Sequence, residues 1–168
     1  MYVPFDSLPS TTRVWIFQSK RPFSDREMEI MTDRLKEFTN EWNVHGVPLN
    51  TSFLLLHRQF VVLAADEREQ SASGCSIDSS VRILKHLEQS LGLSLFERDE
   101  VAFKTAEGIR TIPLANLKED FANGIIDKDT LTFYNLVNTK AQLESEWLVP
   151  SKDTWLKRYI PKPLANVK

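Results

Sequence analysis

The chain carries one cysteine, Cys75, and three histidines, His45, His57 and His86. Together they allow a thiolate nucleophile served by an imidazole base. Cys75 lies in the stretch Ser71–Leu91, SASGCSIDSSVRILKHLEQSL. Gly74 and several serines break regular structure there, and Ile77, Val81, Leu84, Leu87 and Leu91 then step by three and four. Ser73, Ser76 and Asp78 are candidate N-caps and Gly92 a C-cap, which puts Cys75 at or just before a helix N-terminus. Free N–H groups and the positive dipole end at such a place favour a thiolate or a bound phosphate or carboxylate. Two kinds of site fit. In the sharper one Cys75 is the nucleophile, His45 its base and Arg13 a support for the thiolate, while the N–H groups of Ser76 and Ile77 hold an oxyanion. In the milder one the Gly74–Ile77 turn binds a small anionic ligand with help from Arg13 and Lys104. The bland alternative is a small buried cysteine packing a tight turn ahead of a self-capped helix.

Several elements must position these side chains. Thr12–Ser19 reads as a strand with apolar residues on both faces, Val14 and Ile16 against Trp15 and Phe17. Pro22–Trp42 reads as a helix. Ser24 and Glu27 make a capping box, Phe23 and Met28 sit at the staple positions, and Met28, Met31, Leu35, Phe38 and Trp42 form an apolar stripe that belongs to a core. Asn43–Asn50 is a loop, and Thr51–Leu56 and Phe60–Ala65 are strands joined by a tight turn near His57–Gln59. After the Cys75 helix, Glu100–Thr105 is a strand that returns through a Glu107-Gly108 turn along Ile109–Ile112. Pro113–Asn123 reads as a short helix ended by Gly124, Thr130–Val137 as a strand, Thr139–Trp147 as a helix, and Ser151–Tyr159 as a capped turn.

The order is β-α-β-β-α-β, so the expected fold class is α+β: a ferredoxin-like antiparallel sheet over 11–105 and a C-terminal β/α extension over 106–160, in one domain. The extension or a second subunit should cover the sheet face that carries Trp15 and Phe17. In this topology His45, Arg13 and Lys104 share an end of the sheet with Cys75. His57 lies at the other end, roughly 20 Å away at strand rise, and His86 about 16 Å along the helix. Only His45 can then act as base.

With 168 residues, 42% of them apolar, the chain can bury a core. Basic residues number 21 against 23 acidic ones, for a net charge of −2, so no general basic footprint for nucleic acid exists. Trp15 and Phe17 lack the remaining signature of a base-stacking sheet. One cysteine makes no disulfide or cysteine zinc site, the histidine spacing suits no metal, and nothing calls for a cofactor. No apolar run of membrane-spanning length and no secretion signal is present, which points to the cytoplasm. A competing function is a non-enzymatic interaction module, working through Tyr134, Trp147, Trp155 and Tyr159 and able to form a homodimer.

Four stretches stand out as motifs: Val14–Ser19 followed by Arg21-Pro22-Phe23, Trp42-x-x-His45-Gly46, Gly74-Cys75-Ser76-Ile77-Asp78, and Asn135-Leu136-Val137 with Thr139-Lys140, Trp147, Pro150 and Trp155. On these the chain resembles, over nearly its whole length, a family of short proteins from Bacteroidetes-type bacteria that often carry the label "ABC transporter ATPase". The label implies a P-loop, G-x-x-x-x-G-K-[ST]. None of the five glycines here has that spacing or a following lysine. Residues 101–150, with their hairpin, helix and Gly124-Ile125-Ile126-x-x-x-Thr130, are also similar to small GYF-type peptide-binding modules.

Overall fold

The computed structural model describes residues 1–164, and the chain forms an α+β protein of helices and antiparallel sheets. It divides into two compact units. The first takes Met1–Glu97 and Asn135–Ser145, the second Arg98–Tyr134 and the chain from Glu146 onward. The expected division within the chain fell between residues 105 and 106.

In the first unit β1 (Arg13–Gln18), β4 (Thr51–Leu56) and β5 (Phe60–Ala65) make a sheet of order β1-β5-β4. β5 is central, with Trp15 opposite Leu63 on one side and Phe53 opposite Leu63 on the other. Its uninterrupted apolar run is buried along its whole length, as suits a strand covered on both faces. α1 (Asp25–Glu41) and α2 (Gly74–Leu91) pack on one face. Met31, Leu35, Leu84 and Leu87 meet Trp15, Phe17, Val61 and Leu63 there. Trp15 and Phe17 are thus covered by the helices, not by an extension, because Trp42 and Phe96 reach their rings.

α1 begins at Ser24 with the expected capping box: Glu27 N–H donates to Ser24 Oγ and Ser24 N–H to Glu27 Oε2. α2 begins at Ser73, whose Oγ accepts from Ser76 N–H, and ends at Gly92 in the left-handed region. The expected loop 43–50 is instead a small hairpin, β2 (Asn43–Val44) against β3 (Val47–Pro48).

The first sheet therefore has three strands, and the fourth strand expected for a ferredoxin-like sheet does not join them. β6 (Glu100–Thr105) pairs in the second unit with β7 (Gly108–Pro113) and, on its other side, with β8 (Leu131–Phe133), beyond which lies β9 (Leu148–Pro150). A two-residue turn makes β7 the partner with the smallest closure cost. The free edge of β1 is taken by the chain ahead of α4 (Lys140–Ser145): Val14 N–H donates to Asn138 O and Lys140 N–H to Thr12 O. The expected strand 130–137 accordingly stops at Phe133. The second unit has its own core, with Phe103, Ile126 and Leu156 packed against Leu117 and Phe121 of α3 (Leu117–Ala122).

Candidate functional site

In the first unit the end of α1, the β2–β3 hairpin and the start of α2 enclose a cleft of about 380 Å³. α1 and its C-cap supply Phe38, Glu41 and Trp42, the hairpin Asn43 and His45, and α2 with its cap Ser73, Cys75, Ser76 and Ser79. Trp42, 3% exposed, fixes the relation of the parts. Its Nε1 donates to Ser76 O at 2.9 Å, and its ring packs on those of Phe38 and Trp15 at 5.1 and 5.6 Å.

His45 and Gly46 form the hairpin turn with φ of +49° and +80°. Two positive φ values in a two-residue loop match the right-handed twist of the strands it joins. His is among the few side chains that accept this region. The turn is tied down by Asn43, whose Oδ1 accepts from Gly46 N–H and whose Nδ2 donates to Glu41 O. His45 lines the cleft and is exposed.

Cys75 is the second residue of α2 and is exposed, not buried in a turn. The structure brings it to the same cleft as His45. The other expected participants are placed differently. Ser76 N–H donates to Ser73 Oγ and Ile77 N–H to Ser73 O, so the helix cap already uses both. The N–H groups of Gly74 and Cys75 precede the helical ladder and have no partner among the described residues. Arg13 does not line the cleft; it lies 3.6 Å from Glu67 and 4.7 Å over the Trp15 ring. Lys104 sits on β6 of the second unit, opposite Ile109 and Leu131, because its strand left the first sheet. His57 occupies the β4–β5 turn and His86 the exposed side of α2, neither on the cleft.

Phe38, Glu41, Trp42 and Asn43 were not foreseen as site residues. The apolar pair belonged to a core stripe, and Glu41 and Asn43 were assigned no role. The spacing Phe38, Glu41, Trp42 at a helix end was the available signal. Among the described residues no group of three or more His, Cys, Asp or Glu side chains could hold a metal ion, and no helix is long and apolar enough to cross a membrane. Of the late aromatics, Trp147 is buried against Phe133, and Trp155 stacks with Tyr159 and Arg158. The chain matches no protein-family model, no curated protein and no solved structure.

Proposed function

We propose that the chain is a thiol-bearing ligand-binding protein, in which Cys75 reacts with a small electrophilic ligand and His45 accepts its proton. One observation carries this: two side chains thirty residues apart, a thiol and an imidazole, line one open cleft. The imidazole takes the proton from Sγ, the thiolate adds to a carbonyl carbon, and the negative charge formed on the carbonyl oxygen meets the N–H groups of Gly74 and Cys75. The anionic part of the ligand is thereby confined to the first two positions of α2. We extend the proposal to kinship with the Bacteroidetes-type family on the motifs quoted above, without the ATPase role of its label.

Alkylation of Cys75 by iodoacetamide across pH tests it, in the wild type and in His45→Asn, which keeps a side chain tolerant of positive φ. The wild type should react readily near neutral pH and the variant at least about tenfold more slowly there, as expected for loss of a general base. Superimposable pH–rate profiles would remove His45 from the mechanism.

A further inference from the structure

Two helix ends of opposite sign face the Cys75 cleft, and neither is neutralised by its own side chains. α1 carries Asp25 and Glu27 in its first turn but no basic residue in its last. α2 has no acidic residue in its first turn. The negative end of α1 and the positive end of α2 therefore meet across one cavity. Glu41, the last residue of α1, adds a carboxylate to the negative side. It has no ion-pair partner among the described residues, and no lysine or arginine lines the cleft. Phe38 stands one turn before it, half-buried, with Trp42 behind. A carboxylate, a helix C-terminus and an aromatic face each attract an organic cation.

We infer that the cleft takes a dipolar ligand whose ammonium group sits at Glu41 and Phe38, on the α1 side, while its reactive end lies at Cys75. The proposal rests on the thiol reading only in placing that reactive end. The cation seat itself is defined by α1. Such a ligand has the chemistry of an amino acid derivative or an amino-substituted carbonyl compound, and a purely anionic ligand is disfavoured by Glu41.

Cys75 is the only cysteine, so its modification reports on the seat unambiguously. Three methanethiosulfonates serve as probes: trimethylammonioethyl, sulfonatoethyl and uncharged methyl. In each reaction the thiolate attacks the reagent's sulfenyl sulfur, the reagent's S–S bond breaks, a mixed disulfide forms, methanesulfinate leaves and the thiol proton passes to base. Rates are divided by those of 2-mercaptoethanol with the same reagent. The normalised cation-to-anion ratio should be about tenfold at low salt and should fall several-fold near 1 M salt. Glu41→Gln should bring the ratio most of the way to unity, and the ratio is the readout because any general change in thiol reactivity cancels in it. Phe38→Leu should lower the same cation-to-anion ratio several-fold. A wild-type ratio at or below one, or a ratio unmoved by Glu41→Gln, overturns the cation seat. A His45→Asn variant that keeps the ratio but leaves the alkylation profile unmoved would sink the thiol pair and spare the seat.

Discussion

Trp42 is the residue on which the cleft most depends. Its ring fills the space beneath Phe38 and its Nε1 binds the first turn of α2, so it sets where Cys75 stands relative to His45. Trp42→Phe keeps an aromatic filler and deletes that donor. It should cost about 1–3 kcal/mol through the smaller side chain and the loss of one of the hydrogen bonds to Ser76 O, which Ser79 Oγ also reaches, measured by urea unfolding, and should also slow the neutral-pH alkylation of Cys75. Loss of stability with an unchanged alkylation rate would show that Trp42 supports the fold without positioning the thiol. The sequence made one side of this cleft legible. Capping rules are local, so the cap candidates Ser73, Ser76 and Asp78, with Gly92 at the other end, placed Cys75 at or just before the start of α2 before any packing was known, and the structure settles on Ser73. Glu41 was not legible, because its role depends on what lies opposite the end of its helix. The donors assigned to Ser76 and Ile77 failed for a related reason: a good cap consumes the N–H groups that an anion site would need.

Among the elements, α1 has the most heavily fastened start. Arg21 donates to both carboxylate oxygens of Glu27 at 2.9 and 2.7 Å and reaches the carbonyls of Leu91 and Gly92 at the end of α2. The Arg21 hydrogen bonds, with the Ser24 N–H as a further donor, hold the Glu27 carboxyl down from 4.5 to about 2. A carboxylate with a depressed folded-state value contributes stability above its unfolded value and loses it as pH falls toward the folded one. Glu27→Gln should therefore destabilise by about 1–2 kcal/mol at pH 7, and the difference from wild type should shrink between roughly pH 4.5 and pH 2. A difference independent of pH in chemical unfolding would show that the ionised form is not what matters. Other elements show the limits of reading pattern alone. The β2–β3 hairpin escaped notice because its strands are two residues long and its turn is His-Gly, not the commoner Asn-Gly. β6 and its hairpin partner β7 were recognised, yet β8 on its other side was not, since alternation gives a strand's faces and leaves its distant partners open.

For the whole molecule, the informative feature is that the first unit is discontinuous in sequence. Asn135–Ser145 returns to it after the chain has built much of the second unit. Lys140, 7% exposed, fastens the return: its ammonium donates to the carbonyls of Phe5, Asp6 and Leu8 at 3.1, 3.0 and 2.8 Å and lies 5.2 Å over the Phe5 ring. Lys140→Met keeps the stem and removes all three donors. It should cost about 3 kcal/mol and should raise amide exchange first in residues 3–12 and 138–141. Uniform exchange throughout the first unit would mean that the arm and the returning segment are not separately fastened. The β-α-β-β-α succession was legible because each element declares itself locally. The two-unit division was not, because it turns on a contact between residues more than a hundred positions apart.

That same discontinuity has a consequence for biosynthesis. Chains generally acquire structure from the amino end as they are made, but here the outer side of β1 has no partner until Asn138 and Lys140 have left the ribosome. Until then a nascent chain presents an unsatisfied strand border of the kind that recruits other chains. A message truncated shortly after Glu97 should yield insoluble product, while the small first sheet becomes safe only late in translation.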